Sequence, residues 1–97
     1  MKPVEFHPEA IAELEAAVEF YEKCVLSLGV DLRKDVEAAV QKIQEAPRRW
    51  ISYGKQTRRF LLHRFPYLVV FLELDSKIWI IAIAHGKRRP GYWHGRI

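Results

Sequence analysis

Apolar residues in the first half of the chain recur at helical spacing. They fall three or four positions apart at Ile11, Leu14, Val18, Tyr21, Val25 and Leu28. This pattern predicts one helix with a single apolar stripe. A second set continues the spacing until Pro47 ends it, at Leu32, Val36, Ala39, Val40 and Ile43. Because each helix is apolar on one side only, we expect a helical hairpin that covers another layer.

The boundaries of these helices carry their own signals. Pro8 suits the first turn of the first helix, where no backbone donor is needed. Gly29 is predicted to cap the end of that helix, and Asp31 to cap the start of the next. Cys24 lies beside the apolar stripe, so a partly buried structural thiol without a redox role is expected. The remaining faces carry acids at Glu9, Glu13, Glu15, Glu19 and Glu22.

The second half of the chain reads as strands. One short strand is predicted earlier, at the start of the chain, by Val4-Glu5-Phe6. In the second half, three β-rich runs follow a polar loop at residues 52–55, and they lie at residues 58–65, 67–74 and 77–84. Their short connections imply antiparallel pairing, and the last run, apolar on both faces, is predicted to be central. We therefore expect one α+β domain over residues 1–97, in the order β-α-α-β-β-β, with a two-helix hairpin on a twisted antiparallel sheet.

Charge is distributed unevenly along the chain. Residues 1–47 carry five Lys or Arg against ten Asp or Glu, whereas residues 48–97 carry eleven against two, giving −5 and +9. Such segregation attracts polyanions or acidic protein surfaces. No apolar run is long enough to span a membrane, and the lone Cys24 favours a reducing compartment. A cytoplasmic protein without a membrane partner is expected.

Candidate chemistry is concentrated near the end of the chain. A metal site is disfavoured, since His85 and His94 are nine positions apart and His63 lies on another strand. The sequence has no phosphate-binding loop, so no nucleotide cofactor is expected. Metal-free RNA cleavage needs a base, an acid and cations, and His85, Arg88 and Tyr92 supply such groups within eight positions. Alternatively, His85 bonds the backbone at a strand end and Tyr92 packs with the tail on the sheet edge.

Three segments resemble the RelE/ParE superfamily of toxins from bacterial type II toxin–antitoxin modules. They are VEFHPEAIAELEAAVEFYE, RRFLLHRFPYLVVFLE and IIAIAHGKRRPGYW, and together they span nearly the whole chain. The resemblance implies a β-α-α-β-β-β fold and a cytoplasmic toxin of a plasmid-stabilisation module that arrests growth. It also implies a cognate antitoxin that wraps the toxin with an extended segment.

The superfamily divides by target. RelE-like members are ribosome-dependent mRNA endonucleases, and Arg59 and Arg88 match their basic positions. Leu68 and Leu61, however, stand where these members have an arginine and a lysine. Tyr92 also has a different spacing from their tail tyrosine. The HG-x-R pattern that starts at His85 is similar to the last strand of ParE-like members, which inhibit DNA gyrase. Gyrase inhibition is therefore favoured. An mRNA endonuclease acting on the ribosome is the alternative, and a non-toxic nucleic-acid-binding module is the third interpretation.

The basic sheet face and tail are predicted to be the target-binding surface. Its members are Arg58, Arg59, Arg64, Lys87, Arg89, Trp93 and Arg96. His85, Arg88 and Tyr92 would be catalytic only in a ribonuclease. The predicted partners are a cognate antitoxin and either DNA gyrase or the ribosome with mRNA.

Overall fold

A computed structural model describes residues 1–54 and 56–97; Lys55, the end of the predicted polar loop, lies outside the described residues. Its strands and helices, in chain order, are β1 (Val4–Phe6), α1 (Pro8–Cys24), α2 (Leu28–Glu45), β2 (Ile51–Ser52), β3 (Arg58–Leu61), β4 (Tyr67–Glu73) and β5 (Ile78–His85). Short 3-10 turns occupy Pro47–Arg49 and His94–Arg96. The expected α+β class is confirmed.

The sheet is mixed, with the strand order β1-β5-β4-β3-β2. β3, β4 and β5 pair antiparallel as predicted, but β1 runs parallel to β5, with Val4 opposite Ile78. The purely antiparallel sheet was therefore a wrong expectation. The chain between β1 and β5 contains the helical hairpin and strands β2–β4, so it is long enough to let these two strands pair in parallel. β5 lies between β1 and β4, which confirms its predicted central position.

Two strand predictions need correction. β3 ends at Leu61 instead of continuing to residue 65, because the chain bends there and turns Leu62 and Phe65 into the core. The predicted polar loop contains part of the short edge strand β2, which pairs with β3 through Ile51 and Ser52. Two residues are too few to show a recognisable alternation in sequence.

One face of the sheet packs against the helical hairpin. The buried side of α1 is formed by Ala10, Leu14 and Ala17, whereas Ile11 and Val25 of the predicted stripe are 48% and 59% exposed. Small alanine side chains let α1 approach the sheet closely, so the buried face centres on them. Ile11, next to Ala10, is displaced toward solvent, and Val25 lies beyond the last residue of α1.

Gly29 connects the two helices in an unexpected way. It is the second residue of α2, and the preceding Ser27 adopts the left-handed conformation, with φ 71°. A Cβ on Gly29 would lie 2.3 Å from the carbonyl oxygen of Val18, so glycine permits close contact with α1. The carboxylate of Glu22 accepts hydrogen bonds from the backbone N–H groups of Ser27 and Gly29, at 2.7 and 3.0 Å. The prediction that Gly29 caps α1 is wrong.

Asp31 and Cys24 also differ from expectation. Asp31 lies in the first turn of α2, inside the helix rather than at its cap, and forms an ion pair with Arg64 at 3.1 Å. Cys24 is the last residue of α1 and is exposed, so it is not the partly buried thiol that its position beside the stripe suggested.

The opposite face of the sheet is covered by the C-terminal tail, defined here as residues 86–97. Trp93 is 2% exposed and packs on a small apolar cluster. The cluster contains Leu68, Val70, Leu72, Ile81, Ala82 and Ala84. The ring of Tyr53 lies 5.1 Å from that of Trp93. The expectation of an open sheet face lined by cations is therefore corrected over this region.

Candidate target-binding surface and its tail anchor

The tail is attached to α1 through one carboxylate. Glu13 is 15% exposed at its side chain and accepts a hydrogen bond of 2.7 Å from the hydroxyl of Tyr92. Two nitrogens of the Arg96 guanidinium donate to its two oxygens, each at 2.9 Å, and the backbone N–H of Ile83 donates at 3.0 Å. Glu13 thus joins α1, β5 and the tail.

This arrangement changes the protonation chemistry of the tail. Burial raises the pKa of the Tyr92 phenol, and its hydrogen bond to Glu13 raises it further. The hydrogen bond to Glu13 also raises the pKa of Arg96. Tyr92 therefore stays a neutral hydrogen-bond donor to a higher pH than a free phenol does, and Arg96 remains a cation.

The other two residues of the predicted catalytic set lie nearby. The Arg88 guanidinium stacks over the ring of Tyr92, 3.8 Å from its centroid, and Arg88 Nη1 is 3.8 Å from a Glu13 oxygen. His85 ends β5, and its Nδ1 accepts a hydrogen bond of 3.1 Å from the backbone N–H of Lys87. Arg88 and Tyr92 are therefore in contact, while His85 shares with Arg88 an open cavity of about 220 Å³.

The predicted target-binding residues do not form one continuous set of exposed cations. Lys87 and Arg89 are exposed at the start of the tail. Arg64 is exposed but pairs with an acid of α2. Trp93 is buried, and the Arg96 side chain is 15% exposed and engaged by Glu13.

Arg58 and Arg59 are consecutive residues of β3, the strand next to the edge strand β2. Arg58 donates to the backbone carbonyl of Trp50 at 2.8 Å, and Arg59 lies over the ring of Tyr53 at 4.8 Å from its centroid. Both arginines are half-buried and help to hold the segment around β2.

Sequence reasoning missed Glu13, which it assigned to a solvated helix face. The residue is separated from Tyr92 and Arg96 by 79 and 83 positions. One glutamate among five on the helix carries no local signal of burial. Only the packing of α1 beside β5 identifies it.

Within residues 1–54 and 56–97, no three His, Cys, Asp or Glu residues come close enough to hold a metal ion. None of the helices there is both long and apolar enough to cross a membrane.

Comparison with known proteins gives the family. Residues 4–90 match the model of the ParE toxin of type II toxin–antitoxin systems, parDE. A solved structure described as the chromosomal ParDE TA system from P. aeruginosa is similar with a TM-score of 0.78 and 20% identity, covering 88% of this chain and 96% of that one. This likeness supports the fold, and no protein with a curated description matches. Because the family model covers most of the sequence, the chain belongs to the ParE toxins of type II toxin–antitoxin systems.

Proposed function

We propose that this protein arrests growth by binding and inhibiting DNA gyrase, and that a cognate antitoxin neutralises it in the cytoplasm. Family membership supports the toxin role. The similar solved structure is described as a ParDE system, which supports an antitoxin partner here. The choice of gyrase over mRNA rests on the chemistry of the tail.

The state of Tyr92 is the observation that carries the proposal. A ribonuclease of the RelE type would use its tail tyrosine, together with cations, at the reacting ribose and phosphate. General acid–base groups work best when their pKa lies near the operating pH. Burial and the hydrogen bond to Glu13 instead raise the pKa of Tyr92, and its hydroxyl donates that hydrogen bond to the Glu13 carboxylate. This supports an anchoring role for the hydroxyl.

The covered sheet face also supports gyrase binding over RNA cleavage. Leu68 and Val70 are packed beneath Trp93, so this surface is apolar and occupied. Cleavage of RNA requires hydrogen-bond donors and cations directed at the developing phosphate charge. An apolar surface cannot supply them. A protein that binds its target needs only an exposed, complementary patch.

Lys87 and Arg89 provide such a patch in our proposal. Both are exposed and follow the end of β5 directly, next to the half-exposed Arg88. Positive charge at the edge of an interface mainly accelerates association with an acidic partner. We expect the association rate with gyrase to fall as salt is added, with a smaller effect on dissociation.

The test compares two double charge reversals with the same change in net charge. Lys87→Glu/Arg89→Glu should weaken inhibition of gyrase supercoiling by about tenfold or more, since close charge pairs across an interface have coupling energies of about 1.5–7 kcal/mol. The control is Lys23→Glu/Lys34→Glu, on the exposed side of the helices. Tyr92→Phe should cost about 1 kcal/mol, within roughly tenfold.

Primer extension on mRNA from arrested cells distinguishes the alternative. We expect no new codon-phased RNA ends. New ends that disappear in His85→Ala would establish an mRNA endonuclease instead. Normal supercoiling at saturating toxin would reject gyrase as the target.

A further inference from the structure

The edge of β5 changes its partner halfway along the strand. β1 pairs with β5 only as far as Phe6 opposite Ile80. Val70 faces Ala82 while Phe71 faces Ile80, so Ile81 is the extra residue of a β-bulge. A bulge rotates the strand that follows it. It brings one C=O and one N–H of β5 to the edge that β1 no longer covers.

Two side chains complete the hydrogen bonds of this uncovered edge. The carbonyl of Ile81 accepts from Arg96 at 3.0 Å, and the N–H of Ile83 donates to Glu13 at 3.0 Å. The same two side chains form a bidentate ion pair. Glu13 and Arg96 therefore take the place that a further strand residue would occupy, and they exclude another strand from this edge.

The tail depends on the same contacts. Its backbone hydrogen bonds after Gly86 are local, for example from Arg96 N–H to the carbonyl of Trp93 at 2.8 Å. Its side-chain hydrogen bonds to the body of the protein run from Tyr92 and Arg96 to Glu13 and to the Ile81 carbonyl. The tail thus behaves as a small unit attached through one acidic residue and one buried indole.

We propose that Glu13 is the positioning residue of the C-terminal tail. It holds the tail closed over the apolar sheet face and fixes the direction of Arg89, and its removal releases residues 88–97 together while the sheet stays folded. The statement about tail closure follows from the contacts alone. The consequence for target binding rests on the proposed function.

The size of the effect follows from burial. Without the carboxylate, Arg96 keeps a charge that is largely removed from solvent. The single oxygen of a glutamine amide also cannot replace both carboxylate oxygens, which accept from Tyr92 and Arg96. Removing one partner of a buried ion pair is far more costly than removing an exposed one. We expect the open state of the tail to become about a hundredfold more populated.

Amide-resolved hydrogen exchange tests this directly on Glu13→Gln, which preserves shape and removes the charge. Exchange at His94 and Arg96, whose N–H groups bond within the tail, should accelerate about a hundredfold. Exchange at Val69, in the sheet core, should not change. The control is Glu19→Gln on the same helix, because Glu19 pairs with Lys23 in solvent.

Arg96→Gln and the double variant complete the experiment. If Glu13 acts through Arg96, the double variant should exchange in the tail no faster than Glu13→Gln alone. Unchanged tail exchange in Glu13→Gln overturns the inference. Equal acceleration in tail and core also overturns it, since Glu13 would then be a general stabilising residue.

Supercoiling inhibition separates this inference from the proposed function. Glu13→Gln should lose about tenfold in potency, while Glu19→Gln keeps the wild-type value. If Glu13→Gln releases the tail but the wild-type protein does not inhibit gyrase, the anchoring role of Glu13 is supported and gyrase is rejected as the target. Tail release with undiminished inhibition would overturn the claim that Glu13 positions Arg89.

Discussion

Replacing Gly29 with alanine is a sharp test of how the two helices pack. Alanine favours a helix over glycine by about 1 kcal/mol, so propensity alone predicts stabilisation. The added Cβ would, however, lie 2.3 Å from the backbone oxygen of Val18 and 3.0 Å from Cβ of Glu22. A backbone oxygen cannot rotate away, so the helices must separate by about 1 Å to restore normal contact.

The net cost of this separation can be estimated from its parts. Overpacking costs about 1–3 kcal/mol. Displacement of the Glu22 carboxylate, which caps Ser27 and Gly29, adds about 0.5–2 kcal/mol. After the propensity gain is subtracted, we expect a loss of about 0.5–4 kcal/mol in the free energy of unfolding, at roughly 4–8 °C in Tm for each kcal/mol.

Urea and thermal unfolding followed by circular dichroism measure this loss. Gly95→Ala is the matched control, since no atom lies within 4 Å of the position its Cβ would take. The control should change stability by less than about 0.5 kcal/mol. If Gly29→Ala is as stable as the wild type or more stable, the close helix contact is refuted.

Three further predictions concern single side chains. The pKa of Glu73 is lowered by hydrogen bonds from Lys2 and Arg48, so its contribution to stability is present above the ordinary carboxylate pKa of about 4.3 and is lost as pH falls through the lower folded value. Glu73→Gln should therefore reduce stability at neutral pH and make the loss of stability in acid smaller than in the wild type. Urea midpoints that fall in parallel with those of the wild type from pH 7 to pH 3 would contradict this. His7→Ala removes the side-chain acceptor at the start of α1 and should cost about 0.5–2 kcal/mol in urea unfolding. Cys24→Ala should leave growth arrest and stability unchanged, because the thiol is exposed at the end of α1; a loss of toxicity in a stable variant would reveal a function of the thiol.

The chain pattern predicted the elements well and their contacts less well. Helical spacing located α1 and α2, and the doubly apolar run at β5 identified the central strand. The same spacing could not tell that Ala10 faces the core while Ile11 is half-exposed. Periodicity gives the direction of a helix face to within about one residue, and close packing then selects the small side chain.

The candidate site shows a similar division. The sequence placed a basic, aromatic segment after β5 and suggested that Tyr92 packs with the tail, which is one of the two interpretations it left open. It also indicated a strong charge asymmetry. In the structure part of that asymmetry is satisfied internally, because Arg64 and Arg96 pair with acids from the helical half.

Sequence by itself determined the order of elements, the apolar faces and the two oppositely charged halves, since each is written in local spacing or composition. Tertiary structure decided that β1 pairs in parallel with β5, that Gly29 is a helix contact and that Glu13 anchors the tail. These features join residues far apart in the chain. Such contacts depend on how whole elements pack, because a glycine or a glutamate carries no local mark of the neighbour that it will meet.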